Sequence, residues 1–94
     1  MIQSHGYHPT QHRSRREIDQ AIGVLMGIRR CSAEEALTEL AGVVRASGVG
    51  LGGVSRALLD LVSGAAVPTA DGAALAHWNA VLRQLGAPPA RRRP

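Results

Sequence analysis

The 94-residue chain has very few aromatic side chains: it contains no Phe and only one residue each of Trp and Tyr. Because hydrophobic residues still make up 45% of the chain, the core must be built from Leu, Val, Ile and Ala. A chain of this length supports a single small core. We therefore expect one folded unit rather than two independent domains.

Cysteine and long apolar runs are equally scarce. A single cysteine, Cys31, excludes an intramolecular disulfide. Arg, Asp or Glu interrupts every hydrophobic stretch before it reaches 18 residues, the length that a transmembrane helix needs. The N-terminus also lacks the basic region and apolar run of a signal peptide. These absences exclude a transmembrane helix and predict a cytoplasmic protein.

Lysine is absent too, so all 11 basic residues are arginines, and they outnumber the 7 acidic residues. The formal net charge of +4 and the isoelectric point of about 11.0 favour a polyanionic partner such as nucleic acid. An Arg-, Ala- and Gly-rich composition also arises from a GC-rich genome, and three arginines lie in the C-terminal tail. Charge alone therefore leaves both explanations open.

Signatures of catalysis are missing, and no enzyme activity, metal or cofactor is expected. The sequence has no glycine-rich phosphate loop, no nucleophile elbow and no HExxH helix. Cys31 falls at the start of an amphipathic helix, where packing is favoured over a role as nucleophile. Three histidines near the N-terminus could grip a metal if their segment were helical, but Gly6 and Pro9 argue against a helix there. They are His5, His8 and His12.

Capping residues and apolar spacing predict four helices. Ser14 with Glu17 forms a capping-box pattern that starts helix one at about Arg15, and the pattern recurs at Ser32 with Glu35. Apolar residues then recur at intervals of three and four along each helix. The predicted spans are about 15–28, 33–46, from 51 onward, and 71–85, with Gly48 in a left-handed conformation after helix two.

The fold is thus predicted to be all-α, a small three-helix bundle with a C-terminal fourth helix. The expected segments are a flexible tail at 1–12, the three-helix domain at 13–63, a linker at 64–70, an amphipathic helix at 71–86 and a disordered basic tail at 87–94. The predicted inward faces hold Ile18, Ala21, Ile22, Leu25 and Ile28, then Ala36, Leu37, Leu40, Val43, Val44 and Ser47, then Leu51, Val54, Leu58, Leu61 and Val62, and last Leu75, Trp78, Val81, Leu82 and Leu85.

Two glycines in helix one indicate a close contact. Gly23 and Gly27 would each cost about 1 kcal/mol relative to Ala, and they lie on one side of the helix. Such a pair indicates that another backbone approaches, within the domain or across a dimer. The helix that carries Trp78 should dock on the first three helices or on a partner chain. The candidate interface residues are therefore Gly23, Gly27, Trp78 and Leu82.

The sequence from residue 16 to residue 37 resembles the ANTAR domain family. The resemblance is carried by Ala-Ile-Gly-Val-Leu-Met at 21–26 and Cys-Ser-Ala-Glu-Glu-Ala at 31–36, which a short basic connection joins at a fixed spacing. Leu40, Leu51 and Val54 stand at matching positions downstream, so the resemblance covers about residues 13–62. It implies a bacterial three-helix domain that dimerises and binds paired RNA stem-loops in nascent transcripts, which prevents a terminator hairpin from forming.

The resemblance makes the scattered cationic residues candidates for contact with RNA phosphates. The candidate RNA-binding residues are Arg13, Arg15, Arg16, Gln20, Arg29, Arg30, Arg45 and Arg56. Each arginine alone could equally be a solvated surface residue, and Gln20 is better explained as an exposed helix glutamine than as a contact to a base edge. The family's usual basic residue is replaced by Ile22, and its basic run before helix three is replaced by the glycine-rich stretch at 48–53. The usual sensing domain is also missing, which implies a separate sensor protein.

Two other functions stay open at this point. The fold could serve as a protein-interaction or dimerisation module whose RNA surface has eroded. A helix-turn-helix DNA binder is the weaker alternative, because a recognition helix that begins Leu51-Gly-Gly-Val54 carries few base-reading side chains.

Overall fold

Four helices make up the part of the chain that the computed structural model describes, which is residues 9–65 and 71–86, with side chains from Ser14 onward. The helices are α1 (Pro9–Arg29), α2 (Ala33–Ser47), α3 (Leu51–Ser63) and α4 (Gly72–Gln84). These two ranges contain no strand, and the predicted all-α class with a fourth C-terminal helix is confirmed. No helix within them is long and apolar enough to cross a membrane.

The start of α1 differs from the prediction. The helix begins at Pro9, six residues before the expected Arg15, because a proline in the first turn loses no hydrogen bond and its fixed φ suits a helix. The predicted capping box at Ser14 and Glu17 is wrong, since both residues lie inside α1. Residues 9–12 are helical rather than part of a flexible tail. Residues 1–8 lie outside the described range, as do the side chain of His12, much of the expected linker and the basic tail.

The boundaries of α2 follow the predicted caps. Ser32 Oγ accepts a hydrogen bond from the backbone N–H of Glu35 at 3.0 Å, and Glu35 Oε1 accepts one from the backbone N–H of Ser32 at 2.9 Å. At the other end Gly48 has a φ of 76° and donates to the carbonyl of Val44 at 2.9 Å. The capping box and the left-handed glycine predicted for this helix are both confirmed.

The core lies between the first three helices and is closed by α4, which packs on α2 and α3. The apolar residues buried there are Ala21, Leu25, Ala36, Leu40, Val43, Val54, Ala57, Leu58, Ala74 and Trp78. The spacing of apolar residues correctly predicted the centre of the buried face of each helix but not the edges of that face. Leu37, Val62 and Leu85 were expected inside and are exposed, because no other helix of the described ranges covers these edges.

Trp78 fixes α4 to the rest of the bundle. Its ring is fully buried, and its Nε1–H donates to the carbonyl of Val54 in α3 at 2.9 Å. The ring of His77 lies edge-on to it, with 5.5 Å between the centroids. The tryptophan helix therefore docks on its own chain. Because the Trp78 side chain is fully buried, it cannot contact a partner chain, and this corrects its expected place in an interface. Leu82 on the same helix is half-buried.

Replacing Trp78 should destabilise the fold strongly. We expect Trp78→Ala to lower the free energy of unfolding by about 3–5 kcal/mol, because the largest core side chain leaves a cavity. Urea unfolding followed by circular dichroism measures the change. Leu85→Ala at the exposed C-cap of α4 should stay within about 0.5 kcal/mol of the unsubstituted chain; equal losses in both variants would contradict the docking role of Trp78.

Candidate RNA-binding surface

Arg30 follows the end of α1 in an unusual backbone conformation. Its φ is 54°, in the left-handed region that costs a non-glycine residue about 1–2 kcal/mol. The side chain is exposed and forms no ion pair with any carboxylate that the structure describes. Strained non-glycine residues tend to cluster at functional sites, and Arg30 presents a free cation at the turn between α1 and α2.

Arg29, one residue earlier, is held by α2. Its Nε–H donates to Glu39 Oε1 at 2.9 Å, and its Nη2 donates to the second oxygen of the same carboxylate. This hydrogen bonding raises the pKa of Arg29 above the ordinary value for an arginine. The charge of Arg29 is therefore compensated within the chain.

Arg56 links α3 to α1. Its Nη1 lies 2.7 Å from Glu17 Oε2, and its Nε lies 4.0 Å from Asp60 Oδ1. The two carboxylate side chains are only 13% and 10% exposed, so their charges depend on nearby partners inside the fold. An RNA contact by Arg56 would compete with this packing contact.

The remaining candidates lie on outward faces. Arg15, Arg16 and Gln20 are exposed on α1, and Arg45 is exposed in the last turn of α2. In the described side chains none of these three arginines has a carboxylate partner, while the side chain of Arg13 lies outside the description. Helix geometry places Arg16 about 20 Å along the α1 axis from Arg30. The structure thus brings four of the eight candidates to one surface, the exposed side of α1 and its C-terminal turn: Arg15, Arg16, Gln20 and Arg30.

Gly23 and Gly27 lie on this exposed side of α1 as well. A Cβ built on either glycine would meet nothing within 4 Å apart from the neighbouring backbone of α1 itself. The close approach that these glycines predicted therefore does not occur within the described part of the domain. Of the two alternatives, an approach across a dimer remains as a proposal.

The glycines at 48–53 stand where basic residues were expected, and two of them have a packing reason. A Cβ on Gly52 would lie 2.9 Å from Ser14 Oγ and 3.3 Å from Ser14 Cβ, so α1 passes directly over the start of α3. A Cβ on Gly53 would lie 2.7 Å from Val49 Cγ1. Gly52 therefore leaves room for α1, and Gly53 leaves room for the side chain of Val49.

Sequence reasoning missed the acidic partners of the candidate arginines. Glu39 is ten residues from Arg29, and Glu17 belongs to a different helix from Arg56. Local spacing carries no signal for such pairs, because they depend on how the helices pack. Buried Asp60 and Ser55 were missed for the same reason.

These features define a small helical domain in which α1 exposes arginines that are unpaired among the described side chains, while Arg29 and Arg56 form ion pairs with carboxylates of neighbouring helices. The chain matches the family model of the ANTAR domain over residues 10–59, more than half of its length, and it belongs to this family of RNA-binding antitermination regulators. The match spans α1, α2 and most of α3, and α4 lies beyond it. The chain matches none of the curated proteins and none of the solved structures with which it was compared.

Filling the contact at Gly52 should destabilise the domain. We expect Gly52→Ala to cost about 1–3 kcal/mol, because the new methyl group overlaps Ser14, and Ser14→Ala should recover part of this loss. Gly42→Ala is the matched control: its Cβ would meet only Arg45 Nη2, at 3.9 Å, so it should stabilise α2 by up to about 1 kcal/mol. Thermal unfolding compares the variants, and a neutral Gly52→Ala would show that α1 does not pass this close to α3.

Proposed function

We propose that this chain binds paired stem-loops in nascent mRNA and, by holding them, prevents a terminator hairpin from forming. The observation that carries the proposal is the family match over residues 10–59. The net charge of +4 supports it, because RNA affinity depends on cations that reach phosphates. The proposal includes a cytoplasmic location and a separate sensor protein that supplies the signal.

The exposed side of α1 is the proposed contact surface. Arg15, Arg16 and Arg30 are exposed and free of carboxylates in the described structure, so their guanidinium groups can fork onto phosphates or stack on splayed bases. Gln20 lies among them and can donate to and accept from a base edge. Arg13 and Arg45 are proposed as flanking contacts. Arg29 and Arg56 would have to exchange a carboxylate for a phosphate.

Arg30→Gly separates RNA binding from folding. Glycine adopts the left-handed conformation without strain, so the variant should be more stable by about 1 kcal/mol. Its affinity for a paired stem-loop RNA should nevertheless fall about tenfold, the equivalent of one charge-assisted hydrogen bond. Filter binding across a salt series should also show a flatter salt dependence.

Arg83→Ala is the control for the loss of charge, because Arg83 is exposed on α4, whose backbone does not come close to that of α1 in the described ranges. It should change the affinity for RNA far less than Arg30→Gly. Duplex DNA of equal charge serves as the competitor. Equal losses in the two variants, or equal binding of DNA and RNA, would contradict the proposed surface.

A second candidate function is a dimerisation module that uses the same side of α1. Met26 is 40% exposed there, next to Gly23 and Gly27, where an added Cβ would meet no other part of the described fold within 4 Å. Two copies of α1 that cross antiparallel can place Met26 opposite the partner copy's Gly23, and Ile22 opposite its Gly27. In this register Asp19, an exposed carboxylate, faces the partner copy's Arg30. Large residues then oppose glycines, and unlike charges oppose each other.

Charge reversal tests this register. We expect sedimentation to show a dimer for the unsubstituted chain and monomers for Asp19→Arg and for Arg30→Asp, because each single change opposes like charges. The double variant should dimerise again. Within one chain the two residues lie about 16 Å apart along α1, so a restored dimer requires a contact between chains. A monomeric unsubstituted chain would rule out the module.

A further inference from the structure

Glu39 occupies the part of Arg29 that a phosphate would need. The carboxylate accepts from both Nε and Nη2 of the guanidinium group, in the forked geometry that arginine also uses for phosphates. One edge of a guanidinium group cannot hold a carboxylate and a phosphate together. Any phosphate that binds this edge of Arg29 must therefore displace Glu39.

The pair is open enough for such an exchange. The side chain of Arg29 is 35% exposed and that of Glu39 is 22% exposed. Ion pairs at this level of exposure are weak, because water solvates and salt screens both partners. Arg30 follows directly in the chain and is exposed without a carboxylate partner in the described structure. Among the described residues Arg30 is thus an uncompensated cation at the position that follows the Arg29–Glu39 pair in sequence.

We propose that Glu39 competes with RNA phosphate for Arg29 and so lowers the affinity of this surface for RNA. The inference rests on the proposed function, because it assigns a regulator to the same site. When RNA binds, the two hydrogen bonds to Glu39 break, Arg29 turns its fork to a phosphate, and Glu39 is left to water. Every RNA complex in which Arg29 contacts a phosphate is therefore weakened by the free energy needed to break the Arg29–Glu39 pair.

The other ion pair near the surface does not have this role. Glu17 and Asp60, the partners of Arg56, have side chains that are almost buried where α1 meets α3. Removing Arg56 from them would leave carboxylates in a poorly solvated place. Glu39 differs because it stays partly solvated after Arg29 leaves, so its contact can open without disturbing the fold.

The experiment measures RNA affinity of the full chain with Glu39→Gln. Glutamine keeps the shape of the side chain and removes the charge that holds Arg29. We expect affinity for a paired stem-loop RNA to rise about threefold to tenfold. The slope of log affinity against log salt should steepen by about 0.7 to 0.9, which corresponds to one more phosphate contact.

Two further variants separate release of Arg29 from a simple loss of negative charge. Glu34→Gln removes an equal charge from an exposed position on α2 where the carboxylate has no cation partner within the described residues, so it should change affinity less than twofold. In an Arg29→Ala background, Glu39→Gln should give no gain beyond that small effect.

The outcomes distinguish this inference from the function on which it rests. If the unsubstituted chain binds RNA and Glu39→Gln gains no more than Glu34→Gln, the competition is overturned and RNA binding stands. A gain that persists in the Arg29→Ala background overturns it as well. If neither the unsubstituted chain nor Glu39→Gln binds stem-loop RNA, the proposed function fails together with the inference. Binding that appears only in Glu39→Gln supports the inference in its strongest form.

Discussion

The packing of α1 across α3 is the contact on which the rest of this structure depends. It buries Ala21 and Leu25 on one side of α1 and brings Ser14 so near to α3 that a Cβ at position 52 would lie only 2.9 Å from Ser14 Oγ. The same packing joins Arg56 to Glu17. Because one side of α1 is committed to the core, its opposite side, from Arg16 to Arg30, is left facing outward.

Sequence patterns predicted those parts of the fold that local chemistry decides. The cap of α2 was found because Ser32 and Glu35 satisfy each other's backbone N–H groups within four residues. The same pattern failed at Ser14 and Glu17, where the helix continues upstream to Pro9. A capping pattern shows that a helix can start at a residue, whereas the residues before it decide whether the helix does start there.

The candidate site was predicted less completely than the fold, and Arg29 with Arg30 shows why. The two neighbours look alike in sequence, yet one is held by Glu39 and the other is exposed in a left-handed conformation. The number of arginines overestimates the positive charge available to a nucleic acid, because carboxylates on other helices neutralise some of them. These ion pairs join residues that no local sequence spacing connects. Which arginines stay free depends on helix packing, and helix packing was predicted only at its apolar centre.

The fourth helix shows how stability and recognition are divided in this chain. α4 lies beyond the residues that match the family, yet it supplies Trp78, the largest buried side chain. In a chain with almost no other aromatic residue, this ring closes the side of the core that the first three helices leave open. α4 packs on α2 and α3, and its backbone does not come close to that of α1 in the described ranges. Charged residues on the exposed side of α1 can consequently be substituted without disturbing the packing of Trp78 that holds α4 on the bundle.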